Sequence, residues 1–172
     1  MNELDELWSQ MLSAATENAR NAGQTDVAEY LALKATNDTL RQTAVRWLFD
    51  SMIEIAGEAN RLHAAINVER FEPHNFSHRG SNMVGSMLRI RHGVRCLTLE
   101  AGWTRTPTDG FMRGGALAFA RLTHFGLPKS NAELMLLRAD NMPAWTAVIG
   151  ENTVREFDSE ALREHFRIFL GL

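Results

Sequence analysis

Cysteine and lysine are scarce in this chain, and long apolar runs are missing. Cys96 is the only cysteine among 172 residues, so neither an intramolecular disulfide nor a zinc site built from several cysteines can form within one chain. No apolar stretch approaches the roughly 20 residues that a membrane-spanning helix needs. The first residues are acidic, which is not typical of a secretory signal. These absences predict a soluble protein of the reducing cytoplasm.

The composition is an ordinary globular mixture, with 45% hydrophobic and 23% charged residues. The net charge of −3 is unevenly distributed: residues 1–69 carry eleven acidic and five basic residues, and residues 79–138 carry three acidic and nine basic ones. We expect the acidic and basic parts to attract each other, and a basic surface that faces an anionic ligand is the alternative. The pI of about 6.1 and the 8% of aromatic residues argue against nucleic-acid binding.

The first 66 residues have the periodicity of helices. Apolar residues recur at three- and four-residue steps over residues 4–19, which predicts a first helix that ends near Gly23. A short second helix is predicted over residues 25–37, and a long third helix over residues 38–64.

The third helix carries a wide apolar stripe. Its members recur at helical spacing and include Val45, Leu48, Phe49 and Met52. A helix of this kind is stable only when its stripe is covered by other side chains. The sequence predicts either self-association through these four residues or their burial within one chain.

An acidic ridge lies beside this stripe. It consists of three residues spaced four apart, namely Asp50, Glu54 and Glu58. Arginines of the basic part are suitable partners for these carboxylates. The expected partners are Arg79, Arg89 and Arg91.

Residues 67–82 have no sustained period and contain Pro73 and Gly80, which predicts a long connecting loop. From residue 83 onward the period becomes two, and short turns separate the strand-like runs. Strands are predicted over residues 84–91, 94–101, 115–123, 133–138, 145–149 and 153–157. Asp158 or Ser159 then caps a last helix.

The predicted fold class is therefore α+β. N-terminal helices, including one long amphipathic helix, precede an antiparallel meander of five to six strands, which a C-terminal helix closes. The predicted organisation is a helical segment over residues 1–66, a connecting loop over residues 67–82 and a sheet domain over residues 83–172.

Arginines of the predicted sheet are candidates for binding an anion. Arg89 and Arg91 alternate on one strand and Arg95 begins the next, so a hairpin would bring several guanidinium groups together. Arg113 precedes two glycines whose backbone N–H groups can cradle an anion. These four arginines predict a site for a small phosphate or carboxylate ligand. A solvated sheet face, with a glycine turn at the start of a strand, is the alternative.

His74 and His78 are candidates for binding a metal, because two histidines four residues apart on a helix can share one ion, and Glu72 is nearby. Pro73 favours an irregular loop instead, in which the histidines would face solvent or cap a backbone group. Cys96 lies within a predicted strand, where packing as a small apolar residue is commoner than reactivity. No cofactor can be assigned from the sequence.

The chain shows no set of residues that would act together in catalysis. The sequence therefore favours a non-catalytic binding or assembly module, which forms a homo-oligomer through its N-terminal helices. The alternative is a small enzyme or ligand-binding protein with an anion- or metal-binding pocket between sheet and helices. His74, His78, Arg89 and Arg113 would contribute to such a pocket.

Overall fold

The structure is a computed structural model that describes residues 3–140, 142–151 and 153–172. Two helices open the chain, α1 over Glu3–Asn21 and α2 over Thr25–Arg61. The strands that follow are β1 (Asn67–His78), β2 (Ser81–His92), β3 (Arg95–Trp103), β4 (Ala118–His124), β5 (Ala132–Ala139), β6 (Met142–Val148) and β7 (Val154–Glu156). Helix α3 covers Ser159–Leu170. The strands form one sheet in chain order, and every neighbouring pair is antiparallel. The predicted α+β class is confirmed, with one strand more than predicted.

The chain forms two compact units, residues 1–43 and residues 44–172. Helix α2 contributes its first half to one unit and its second half to the other. The predicted helical segment 1–66 is thus divided between the two units. In the described part of the chain, no helix has both the length and the apolar character needed to cross a lipid bilayer.

The first unit is a hairpin of α1 and the first half of α2. The chain reverses at Gly23, whose positive φ of 73° suits glycine, and Gln24 donates a backbone hydrogen bond to Ala19 at 2.9 Å. The indole of Trp8 donates to the carboxylate of Asp38 at 3.0 Å, and the Lys34 ammonium lies 4.8 Å from the Trp8 ring centroid. These contacts hold the two helices of the unit together.

The prediction of two separate helices over residues 25–64 is wrong, because α2 is continuous. The hydroxyls of Thr36 and Thr39 do not cap a new helix; each donates to the carbonyl four residues earlier, that of Ala32 and Ala35 respectively. The carboxylate of Asp38 is also unavailable as a cap, because it accepts from the first helix. Tertiary contacts therefore outweigh the local capping preference.

The predicted loop over residues 67–82 is also wrong, because these residues form β1 and the start of β2. Phe71 pairs with Met87 and His74 pairs with Gly85, so β1 contains one extra residue between these pairs. This β-bulge accommodates Pro73 on an edge strand, where proline is tolerated. The bulge interrupts the period of two and gives the strand the appearance of a loop.

One face of the sheet, which we call the helix-covered face, packs against the second half of α2 and against α3. The indole of Trp145 on β6 donates to the Ala44 carbonyl at 3.0 Å, and Arg163 of α3 pairs with Glu58 of α2 at 2.7 Å. The sheet side chains of this face are almost completely buried and include Leu88, Ile90, Leu97, Leu99, Ala101, Ala120, Leu122, Leu134 and Leu136. They form the main hydrophobic core.

The apolar stripe of α2 is part of this single chain's interior. Val45, Leu48, Phe49 and Met52 are all buried, and the guanidinium of Arg70 lies 5.4 Å from the Phe49 ring centroid. Of the two roles that the sequence left open for these four residues, the structure shows burial within one chain. Their side chains are already covered and cannot contact a second molecule.

The acidic ridge does not pair with the predicted arginines. Glu58 pairs with Arg163 of α3, whereas Arg79 pairs with Glu133 on β5. Arg89 and Arg91 lie near the carboxylate of Glu69 on the neighbouring strand, at 3.9 and 4.0 Å. The reason is geometric: Arg89 and Arg91 lie on the face of the sheet opposite to that which α2 covers.

Helix α3 begins as its sequence predicts. Asp158 caps it, accepting from the Ala161 N–H at 2.9 Å, and Leu162, Phe166 and Phe169 are buried against the sheet. At its C-terminus, Arg95 donates to the Phe169 carbonyl at 3.2 Å, a favourable position for a cation.

Candidate functional site

The face of the sheet opposite the helix-covered face, which we call the open face, is strongly curled. His78 on β1 stacks on Phe119 on β4 with a distance of 3.6 Å between ring centroids. In a flat sheet, two such strands would lie about 14 Å apart. The open face is therefore concave, and side chains from β1 reach across β2 to contact β3 and β4.

Two paired glycines make this curvature possible. Gly85 on β2 lies opposite Gly102 on β3. Strands β2 and β3 lie between β1 and β4, whose side chains meet above the two glycines. A Cβ atom added to Gly85 would lie 1.8 Å from the Ala101 carbonyl oxygen, and one added to Gly102 would lie 2.7 Å from the Val84 oxygen. The backbones approach too closely at this point for any side chain.

A carboxylate organises one end of the concave surface. Glu100 on β3 accepts from the Nε of Arg121 at 2.9 Å and lies 2.8 Å from the His74 Nε2. The Arg121 guanidinium also lies 5.7 Å from the ring centroid of Phe76, and His74 stacks on the same ring. The cluster joins β1, β3 and β4 through one charged network. Since both Glu100 oxygens are already engaged, the network fixes the curvature and leaves no free base.

A loop between β3 and β4 covers the other end of the open face. The Asp109 carboxylate accepts from the backbone N–H and the hydroxyl of Thr106, both at 3.0 Å, and these hydrogen bonds lower the pKa of Asp109. The Ser81 hydroxyl donates to the Phe111 carbonyl at 3.3 Å. The loop is thus held in a defined position, with Met112 packed against the Phe76, Met83 and Phe119 cluster.

A small cavity of about 20 Å³ lies beneath this loop. Its lining includes His78, Ser81, Met83, Met112, Phe119 and Met135. The Nε2 atom of His78 is buried and has no hydrogen-bond partner in the described part of the chain. Burial lowers the pKa of His78, and Arg79, Arg121 and Arg113 lower it further, while Glu133 opposes the shift. His78 is therefore an uncharged imidazole at neutral pH.

A shallow depression of about 710 Å³ adjoins the cavity, beside the last strands of the sheet. Arg79, Arg113 and Glu133 form its polar part, and Met135, Val148 and Val154 contribute apolar surface. Arg113 is exposed, and its guanidinium makes no hydrogen bond or ion pair with any described residue, although its backbone carbonyl accepts from the Ala116 N–H at 3.2 Å. Arg79 is already paired with Glu133. Among the predicted anion ligands, Arg113 is thus the one with an available guanidinium.

The four arginines predicted to bind an anion do not form one site. Arg89 and Arg91 share the open face, but Arg95 pairs with His92 and therefore points to the helix-covered face, toward α3. Arg113 lies in the loop before β4, next to the depression. Residues directly opposite each other on a hairpin share one face of the sheet. Arg95 lies opposite His92, which is on the helix-covered face, whereas Arg89 and Arg91 are on the open face.

The two histidines predicted to share a metal also lie apart. They are residues i and i+4 of a strand, which places their backbones about 13 Å from each other. His74 contacts Glu100, and His78 stacks on Phe119. Glu72, the predicted third ligand, pairs with Arg70 at 2.9 Å. No group of three His, Cys, Asp or Glu side chains among the described residues is arranged to hold a metal.

Cys96 is partly buried on the open face, opposite Arg91, with its sulfur 3.9 Å from the Thr98 hydroxyl. The cavity and the depression both lie on the open face, and the pocket predicted between sheet and helices stays a prediction.

A pair of histidines, of which His124 is buried and His165 is partly buried, attaches α3 to the sheet. The Nε2 of His124 on β4 lies 3.0 Å from the Nδ1 of His165 on α3, so one ring donates a hydrogen bond to the other. Burial lowers the pKa of His124 to about 4, with a further contribution from His165, and burial also lowers the pKa of His165. The folded protein therefore keeps this pair uncharged in the neutral range.

We expect acid to weaken the folded state through this pair. Because the pKa of His124 is lower in the folded than in the unfolded chain, its stabilising effect is complete above about pH 6.5 and is lost as the pH falls toward 4. The expected loss for this residue is about 3 kcal/mol near pH 4, of which about 2 kcal/mol has occurred at pH 5. Urea unfolding at pH 7.5, 6 and 5 measures it. In the variant His124→Gln the decline should be shallower, whereas the exposed-site variant His63→Asn should follow the wild type.

Comparison of the chain with protein-family models, with curated proteins and with solved structures finds no match. The site must be interpreted from its own geometry. Sequence reasoning missed the Glu100 cluster, since its members are 21 and 26 residues apart and only the fold joins them. Gly85 within one predicted strand and Gly102 directly after the next could have indicated a close backbone approach.

Proposed function

We propose that this protein is a non-catalytic assembly module that self-associates through one side of its N-terminal hairpin. The observation that supports the proposal is a group of large apolar side chains on α1 and α2 that remain 46–64% exposed. We call this group the apolar flank, and its members are Leu7, Met11, Val27, Tyr30 and Leu33. Contiguous exposed apolar surface of this kind is typical of interaction sites.

The members of the apolar flank lie on the same side of the hairpin. Leu7 and Met11 are one turn apart on α1, and Val27, Tyr30 and Leu33 follow at three-residue steps on α2. Successive residues of an α-helix are rotated by about 100° around its axis. By this measure Met11 lies roughly a quarter turn around α1 from the side chains that join the two helices. Tyr30 lies roughly a quarter turn around α2 from the joining side chains, in the same direction of rotation. Since the helices are antiparallel, equal displacements point to the same side.

A second copy of the chain suits this surface. An isolated pair of helices buries only a narrow seam, and exposed apolar stripes beside that seam are stabilised when another helix pair covers them. Two hairpins related by a twofold axis would form a four-helix arrangement in which each flank contacts its equivalent. The proposal retains the predicted homo-oligomer but moves its interface from the buried stripe of α2 to the N-terminal unit.

Sedimentation equilibrium of the purified chain tests the proposal. We expect a dimer, and we expect Met11→Asp and Leu33→Asp each to weaken dimerisation at least tenfold, because a symmetric interface would bury the new carboxylate twice. Circular dichroism should remain unchanged, since both residues are exposed in one chain.

Val94→Asp is the matched control, because Val94 is an apolar residue that is 94% exposed in the turn between β2 and β3. It should leave the dimer intact. A wild-type protein that is monomeric at all concentrations would contradict the proposal. A dimer that both flank variants leave unchanged would also contradict it.

A further inference from the structure

The depression beside the last strands, which has no part in the proposed self-association, is lined by two charged side chains that have no partner among the described residues. One is Arg113 in the loop before β4, and the other is Glu151 in the turn between β6 and β7. Because the two side chains do not pair with each other, their charged atoms lie more than 4.0 Å apart. The depression therefore offers one positive and one negative group to a ligand.

We propose that this depression binds a small zwitterion with an apolar side chain, which is the chemistry shared by a free apolar amino acid and a short apolar peptide. The carboxylate of the ligand would pair with the Arg113 guanidinium, whose planar fork matches two carboxylate oxygens. Its ammonium group would pair with the Glu151 carboxylate. The volume of about 710 Å³ lies within the range of about 300–1,000 Å³ that is typical of small-molecule sites.

The other charges of the depression do not alter this balance. Arg79 and Glu133 pair with each other at 3.0 Å, and their charges therefore largely cancel at a distance. A simple anion would be attracted by Arg113 and repelled by Glu151, and a simple cation would experience the reverse. Only a ligand that carries both charges gains from both groups.

The apolar part of the depression suits an aliphatic side chain. Val148 and Val154 lie directly opposite each other on β6 and β7, and Met135 on β5 shares their face of the sheet. Val154 remains 47% exposed and Ile149 remains 62% exposed, so apolar surface is available to a ligand. Covering this surface removes it from water and favours an apolar over a polar ligand side chain.

Water is the competing occupant, because both charged groups are well hydrated in the free protein. Each ion pair with the ligand forms at an exposed position and contributes little by itself. We therefore expect weak binding, with a Kd on the order of 1 mM for a single amino acid. The two ion pairs and the apolar contact act together, so the loss of either charge should be measurable.

Titration of the ¹⁵N-labelled protein, followed through its amide resonances, tests the site. Leucine should shift the resonances of Ile149, Gly150 and Val154 saturably and leave that of Val94, which does not line the depression, unchanged. Two matched analogues each lack one charge: 4-methylpentanoate has no ammonium group, and 3-methylbutylamine has no carboxylate. Each should bind about fivefold more weakly than leucine. Leucyl-leucine distinguishes the two sources, because a peptide site binds it more tightly than leucine and a site for free amino acids binds it more weakly.

The variants Arg113→Gln and Glu151→Gln should give reciprocal results. Each should weaken leucine binding about fivefold. Arg113→Gln should leave the affinity for 3-methylbutylamine undiminished, and Glu151→Gln should leave that for 4-methylpentanoate undiminished, because each variant removes the group that repels the analogue.

The matched control is Arg155→Gln, since Arg155 is exposed on β7 but does not line the depression. This variant should bind leucine as the wild type does. Absence of saturable shifts with both leucine and leucyl-leucine would overturn the proposal. Analogues that bind as tightly as leucine, or a loss of affinity in Arg155→Gln equal to that in Arg113→Gln, would also overturn it.

Discussion

Replacing Gly85 with alanine is expected to destabilise the protein by at least about 3 kcal/mol. The added Cβ would lie 1.8 Å from the Ala101 carbonyl oxygen, a backbone atom that cannot move away as the end of a flexible side chain can. Strands β2 and β3 must separate to admit it, which breaks their pairing and flattens the curl of the sheet. Gly102→Ala should have a smaller effect in the same direction, because its closest contact is 2.7 Å.

Equilibrium unfolding in urea measures this loss, and Gly57→Ala provides the control. Gly57 lies within α2, and a Cβ at that position would meet only the Arg61 guanidinium, at 3.9 Å. Alanine in a helix should stabilise the protein by about 0.5–1 kcal/mol. The two glycine-to-alanine changes should therefore shift the midpoint in opposite directions. A Gly85→Ala protein as stable as the wild type would show that β2 and β3 do not approach so closely.

The curvature of the sheet can be monitored through the contact between His78 and Phe119. His78 stacks on Phe119 only because the sheet brings β1 and β4 together. In Gly85→Ala, ring-current shifts of the His78 protons should diminish along with the loss of stability. Unchanged shifts in a destabilised protein would mean that the damage is confined to the strand pair.

The variant Leu48→Asp is expected to be the other severe change, with a loss of at least about 4 kcal/mol. Leu48 is fully buried on α2, so the substitution removes an apolar side chain and places a carboxylate where no water can reach it. Total stabilities of single domains are about 5–15 kcal/mol, so this change would remove a large share of the free energy of unfolding.

Ile53→Asp is the matched control for Leu48→Asp, because Ile53 lies on the same helix and is 39% exposed. The control should change the free energy of unfolding by about 1 kcal/mol or less. Circular dichroism and sedimentation together distinguish the two roles that the sequence allowed for the apolar stripe of α2, which are self-association and burial within one chain. A Leu48→Asp protein that remained folded and merely dissociated would show that the stripe is covered by another molecule, contrary to the structure.

The periodicity of the sequence identified the elements whose pattern arises within a few residues. The long apolar stripe around Leu48 and the cap at Asp158 depend on local chemistry, and the structure contains both. Alternation of period two likewise indicated the six strands from β2 onward, since one face of the sheet packs against the core and the other does not.

Elements in which distant contacts prevail over local preference were predicted wrongly. Asp38 and its neighbours have the composition of a helix start, but Asp38 binds Trp8 and α2 continues through it. Residues around Pro73 have the composition of a loop, but a bulge lets them pair with β2. In both cases a partner about 15 to 30 residues away decides the conformation.

The sequence by itself determined the fold class, because helical and strand periods and the turn residues between them are local properties. It also determined that no disulfide forms within the chain, since one cysteine cannot pair alone. Only the tertiary structure decided which side chains meet. The curl over Gly85 and Gly102 brings His74 to Glu100 and His78 to Phe119, and register places Arg95 on the face opposite Arg89. Such juxtapositions depend on the pairing and twist of whole strands, which no short stretch of sequence contains.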